Sequence, residues 1–131
     1  MNFIVPLVIH PFDIMFSIGE SDKELKSEMK SRLSKAAYKL ATEDDFLFGS
    51  IKGQNAHTLF IRGHCQTIVR LGLEASSGTI AHEIFHVVDM IFRHINISLT
   101  KDSDEAYAYL IGYITDKYYE AIANTKPIPY I

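Results

Sequence analysis

The chain reads as a single α+β domain, and three observations carry that reading. Its 131 residues leave room for one core, because domains commonly run to about 100–150 residues. The apolar and charged shares, 47% and 22%, match folded globular chains, so there is enough apolar side chain to bury and no compositional case for disorder. Short apolar runs bounded by Gly, Asn and Pro alternate with segments of helical periodicity, in the order strand, helix, several strands, helix, helix. A small, mostly antiparallel sheet with a backing helix is expected, followed by two helices, within one domain spanning residues 1–131.

Each element has its own signal. Residues 3–18 are rich in Ile, Val and Phe, with Pro6, Pro11 and Gly19 as punctuation, which predicts one extended segment or two short ones. Ser21 and Glu24 have capping-box spacing. Leu25, Met29, Leu33, Ala36, Ala37 and Leu40 then recur at helical intervals, so one amphipathic helix is expected through about Ala41. Residues 46–51, 58–62 and 66–73 are apolar runs separated by Gly53, Asn55 and Gly63 and read as further strands. In the last of them Thr67, Val69, Leu71 and Leu73 alternate with Ile68, Arg70 and Gly72, the pattern of a strand with one packed face and one partly exposed face. A turn over 74–78 leads into a helix over 79–94. After a loop at 95–101, Asp102 and Glu105 have the spacing of a second capping box, opening a last helix to about Ala123.

Charge and cysteine usage exclude several classes of function. The net charge is −3 and the 13 Lys and Arg are scattered, so no concentrated positive field is available for a nucleic-acid backbone. One cysteine, Cys65, excludes an internal disulfide framework and a cysteine-clustered zinc site, and it suits a reducing compartment. The apolar N-terminus lacks a basic residue before its apolar run, and Pro6 and His10 interrupt that run, which argues against a signal peptide. No stretch approaches the roughly 20 apolar residues of a membrane span. A cytoplasmic protein is expected, or a virion-associated one if the gene is carried by a phage.

The chemistry is carried by residues 82–86, His-Glu-Ile-Phe-His. On a helix, positions four apart share a face, so the imidazoles of His82 and His86 can converge on one ion at about 2.0–2.1 Å each. Glu83 lies about 100° round the helix, off the ligand face but placed to act as general base toward a nucleophilic water. A catalytic zinc site takes a third protein ligand and keeps one position open. Glu105 is the best candidate, with Asp104 and Asp102 as competitors. Asp102 is better placed as a cap, and Asp104 as a first-turn acid favoured by the helix dipole. His94 lies eight residues beyond His86, about 12 Å along the axis, and suits the helix C-terminus. Asp89 shares the stripe of His82 and His86 and could accept a hydrogen bond that orients a ligand, or be a surface acid. Among the phenols Tyr107, Tyr109 and Tyr113, Tyr109 shares the face of Glu105 and is the candidate oxyanion stabiliser.

The stretches GTIAHEIFHVVDMIFRH and SDEAYAYLIGYITD resemble the active-site helix and the glutamate helix of gluzincins, the zincin metallopeptidases whose third ligand is a glutamate on the following helix. The Glu-Ala-x-x-Tyr-Leu wording around Glu105 is similar to that of the ImmA/IrrE-type peptidases, and the short chain resembles small phage-encoded zincin-like proteins. The resemblance covers about the last 60 residues. It implies Zn2+ as cofactor, ligand roles for His82, His86 and Glu105, and the base role for Glu83. Two departures matter. Tyr109 stands where thermolysin-like enzymes carry an aspartate, and Asp89 and Phe92 stand where a metzincin needs a glycine and a third ligand.

The expected reaction is hydrolysis of a peptide or protein substrate, with the strand at 66–73 as the sheet edge to which an extended peptide adds. Two alternatives remain: a catalytically silent zincin fold serving as a binding or virion structural protein, and a regulatory protease with a single protein target.

Overall fold

The computed structural model describes residues 1–7, 12–44, 47–48 and 55–125. Its strands are β1 (Asn2–Pro6), β2 (Asp13–Ile18), β3 (Ala56–Ile61) and β4 (Gln66–Leu71), and its helices are α1 (Asp22–Arg32), α2 (Lys35–Thr42), α3 (Ser77–His94) and α4 (Asp104–Thr125). The sheet order is β1-β2-β4-β3. The β1–β2 and β3–β4 pairs are antiparallel, whereas β2 and β4 run parallel, joined through the crossover that contains α1 and α2. The expected α+β class and the mostly antiparallel character of the sheet both hold.

Side-chain alternation divides the core into two layers. Ile14, Phe16 and Ile18 of β2 with Val69 and Leu71 of β4 pack beneath α3 and α4, against Ile80, Ile84, Val87, Val88, Ile91, Leu110 and Ile114. On the other face Met15 and Ile68 meet Leu25 and Met29 of α1 and Ala37 and Ala41 of α2. Strand β4 is therefore covered on both faces, with every residue from Thr67 to Leu71 buried. The expectation of an edge strand with one partly exposed face at 66–73 fails because β4 sits between β2 and β3. Among the described residues the edge nearer α3 is β3, which pairs with β4 alone.

The single helix expected through Ala41 is two. Leu33 is extended (φ −98°, ψ 153°), and Ser34 caps α2, its Oγ accepting from the Ala37 amide at 3.1 Å. Apolar residues continue at helical intervals across the break because both helices supply the same cluster, so periodicity alone concealed it. The Ser21 cap of α1 is present as expected, accepting from the Glu24 amide at 3.1 Å. The strand expected at 46–51 falls mostly outside the described residues; the two that are described, Leu47 and Phe48, lie in a turn and a bend. Between β2 and α1, Gly19 takes φ +65°, a conformation that favours glycine, and a Cβ there would also stand close to Leu73 Cδ1, at 3.1 Å.

Arg70 is a buried cation in the middle of β4, 2% exposed. Its Nη1 donates to Asp22 Oδ1 at 2.5 Å and to the Leu47 carbonyl at 2.9 Å, and its Nη2 donates to the Glu20 carbonyl at 2.9 Å. One side chain thereby joins the sheet to the start of α1 and to the turn beyond α2. Replacing it with methionine keeps much of the volume but leaves those acceptors without their donor, at about 1–3 kcal/mol for each one that stays buried. Arg70→Met should lower unfolding stability in urea by more than about 2 kcal/mol, whereas the exposed Arg62→Ala should change it by less than about 0.5 kcal/mol.

Candidate metal centre

Helix α3 is capped by Ser76, whose Oγ accepts from the Thr79 amide at 3.2 Å and so satisfies one of the free amides of the first turn. Its inward stripe, Ile80, Ile84, Val87, Val88 and Ile91, is buried on the sheet. At about 100° per residue, burial of that stripe turns His82 and His86 to the opposite side of the helix and Glu83 sideways toward β3.

The two histidines meet. His82 Nε2 and His86 Nε2 are 3.0 Å apart, with the rings at 80° to one another. That separation is within twice the roughly 2.0–2.1 Å reach of a zinc–imidazole bond, so both nitrogens can touch one ion. It equally suits a hydrogen bond between a donor and an acceptor tautomer. Their positions fit the first two ligands of a divalent site.

Glu83 is only 7% exposed, although it is the one acid on the inner half of the helix. Thr58 Oγ1 on β3 donates to its Oε2, and Thr58 is buried as well. No other hydrogen bond to this carboxylate occurs among the described residues, which leaves Oε1 to take part in chemistry. A cleft of about 530 Å³ opens over His82 and Glu83, bounded by Asn55 and Ala56 on the strand side and by Ser76 and Thr79 on the helix side. Thr58 was not singled out in the sequence. Its one signal there is a hydroxyl between Ala56 and Phe60 on an otherwise apolar face of the strand.

Glu105 is placed differently. It is exposed on the first turn of α4. Tyr107, two positions on, is 2% exposed and packs against Phe92 of α3 with ring centroids 4.6 Å apart, so Glu105 lies about 160° away on the far side of α4. Among the described residues no three His, Cys, Asp or Glu side chains gather as a metal site. The structure thus brings His82 and His86 together, with Glu83 beside them, and does not bring Glu105 to the pair. Nor is Glu105 engaged as a capping-box residue: α4 begins at Asp104, the Ser103 carbonyl accepts from the Tyr107 amide at 3.2 Å, and Asp102 lies in the preceding turn. Tyr109 shares the outward face and is 76% exposed, making no hydrogen bond among the described residues.

The remaining candidates have structural partners. Asp89 faces the Tyr107 hydroxyl at 3.3 Å and Arg93 Nε at 2.9 Å. Burial, and then the nearby Asp89 carboxylate, raises the Tyr107 pKa above its ordinary value and keeps the phenol a donor. His94 ends α3 with its ring against Phe12 and Phe60.

Comparisons with protein-family models, with curated proteins and with solved structures find no match to the chain.

The Thr58–Glu83 bond can be tested without any activity. Thr58→Val is nearly isosteric but leaves a buried carboxylate without its donor, which should cost about 1–3 kcal/mol or more. Thr58→Ser retains the hydroxyl and should recover most of that loss. Adding Glu83→Gln to Thr58→Val should restore part of the stability, read as a coupling energy in a double-mutant cycle.

Proposed function

We propose that the chain is a zinc-dependent peptide hydrolase in which His82 and His86 hold the ion and Glu83 is the general base. The observation that supports this most directly is the pairing of two convergent imidazole nitrogens, 3.0 Å apart, with a buried carboxylate on the same helix that opens into a cleft. A lone buried acid held by one neutral hydroxyl is costly for a fold that has no use for it.

A bound zinc ion would supply Lewis acidity, polarising a carbonyl oxygen and making water acidic enough to attack near neutral pH. The chain's own groups handle the protons. Glu83 Oε1 takes a proton from water as the water oxygen adds to the carbonyl carbon. It then passes that proton to the amide nitrogen as the C–N bond breaks, giving a carboxylic acid and an amine. Thr58 restricts the carboxylate through Oε2 and so directs the other oxygen at the cleft. The edge of β3, which pairs with β4 alone among the described residues, would align an extended substrate by backbone hydrogen bonds.

Glu105 remains the proposed third ligand because of its spacing from His86. In the present arrangement it faces away from α3, so ligation requires the first turn of α4 to rotate. Because no three-donor cluster is gathered among the described residues, a second reading has support: a zincin-like binding protein without turnover, cytoplasmic or virion-associated.

Metal titration and kinetics separate these readings. At free zinc about 100 times Kd the native state gains about 2.7 kcal/mol, so zinc should raise the melting temperature by roughly 10 °C and a chelator should reverse the shift. No shift in either direction would remove the metal assignment. Glu83→Gln should keep its zinc while hydrolysis of a peptide library falls about 10²–10⁴-fold. A wild type that binds zinc but cleaves nothing in the library favours the silent reading.

Glu105→Gln should lower zinc affinity by more than about tenfold if the glutamate is a ligand. Asp104→Asn, a neighbouring acid in the same turn, should leave it nearly unchanged. Equal affinities for wild type and Glu105→Gln would take Glu105 out of the site.

A further inference from the structure

A second hollow, of about 700 Å³, runs along β3 from Thr58 to Arg62 and under the second half of α3. Thr58, whose hydroxyl donates to Glu83, is among its lining residues. Leu59, Phe60 and Met90 are its apolar lining, and His57, Arg62, Arg93 and His94 also border it. One acid, Asp44, also borders it. That carboxylate is occupied within the chain: its Oδ1 accepts from the Leu47 amide at 2.6 Å and lies 3.5 Å from His57 Nε2. Arg93 gives Asp89 its Nε at 2.9 Å, and a guanidinium has further N–H donors on its outer edge. Arg62 is exposed and makes no hydrogen bond or ion pair among the described residues. The hollow therefore combines a strand edge that pairs with β4 alone among the described residues, apolar side chains, and two guanidinium groups, one of them already sharing its Nε with Asp89.

We propose that this groove receives an extended acidic peptide, with an Asp or Glu side chain seated at Arg62 and Arg93 about four residues to one side of the bond to be cut. The groove assignment stands on the β3 edge and the charges; the position of the cut rests on the hydrolase reading. Two lengths set the register. A strand rises about 3.3 Å per residue, so Ile61, the last residue of β3, lies roughly 10 Å from Thr58, and Arg62 follows it in the turn. A helix rises about 1.5 Å per residue, so Arg93 lies roughly 15 Å along α3 from Glu83. Both arginines border the same hollow, and a peptide added to β3 covers a span of roughly 13 Å in about four residues. A carboxylate there can take a charge-assisted, two-pronged bond from a guanidinium, while apolar neighbours pack on Phe60 and Met90.

The test uses the full chain and fluorescently labelled, otherwise identical peptides carrying Glu, Gln or Lys at one central position, with binding read by anisotropy at low and high salt. The Glu peptide should bind about tenfold tighter than the Gln peptide, a difference of about 1.4 kcal/mol. The margin should shrink with salt because the groove is open to solvent. Arg62→Glu and Arg93→Glu should each reduce the preference, and the double variant should favour the Lys peptide. Equal binding of the Glu and Lys peptides, or a preference untouched by either substitution, overturns the proposal. So does a single-stranded oligonucleotide that displaces the Glu peptide at lower concentration than the unlabelled peptide does. Mass spectrometry of the zinc-incubated mixtures keeps the two ideas apart. Charge-selective binding without cleavage sustains the groove and sinks the hydrolase, whereas cleavage indifferent to the central residue does the reverse.

Discussion

Helix α3 can lie on the sheet in one rotation only. Ile80, Ile84, Val87, Val88 and Ile91 form its buried stripe, and fully burying such side chains is worth about 1.5–3 kcal/mol each. Turning the helix by the angle between adjacent residues would lift that stripe from the core. The rest of the candidate site follows from this constraint. His82 and His86 face outward with their nitrogens together, and Glu83 falls on the flank where β3 runs, within reach of Thr58. The Ser76 cap fixes where the helix begins, and the sheet order fixes which strand lies beside it. A hydrophobic requirement with no chemistry of its own thereby orients three polar side chains.

The sequence disclosed what depends on local spacing and missed what depends on partners. The pairing of His82 with His86 and the separate direction of Glu83 are properties of one helix, and both were legible. Thr58 was not, because nothing in residues 56–61 says that α3 will pass over them. The same limit hid the sheet order: β3 and β4 look alike as apolar runs, and only the parallel pairing of β4 with β2 puts one inside and the other at the edge. Arg70 read as the exposed half of an alternating strand. It is instead buried, because Asp22 and two backbone carbonyls surround it, and these come from segments 23 or more residues away.

Glu105 is the instructive case, since the information was present in the sequence. Tyr107, Leu110, Ile114 and Tyr118 recur at intervals of three and four and are the buried residues of α4, so they define the side that meets the core. Two positions before Tyr107 is nearly the opposite side of the helix. Spacing from His86 leaves that phase out, because spacing measures how far the chain can reach rather than which way a side chain points.

Asp89 links these parts. It lies one turn beyond His86 on the same stripe, holds Arg93 through Nε and faces the Tyr107 hydroxyl, whose proton it shares with the Ile97 carbonyl at 3.3 Å each. The acid therefore helps to orient the cation at the far end of the groove and to lock α4 in the rotation that turns Glu105 outward. Swinging Glu105 inward would break the Tyr107 bonds, about 1–3 kcal/mol for the buried groups, and would expose part of a ring whose burial is worth a further 1.5–3 kcal/mol or so. Apparent zinc binding energies in small structural sites are about 10–16 kcal/mol. Even a fraction of that, available to a site with fewer ligands, is comparable with the cost of turning one helical terminus. The rotation of α4 and the filling of the histidine pair would then be one linked equilibrium, with Asp89 and Tyr107 holding the side on which Glu105 faces solvent.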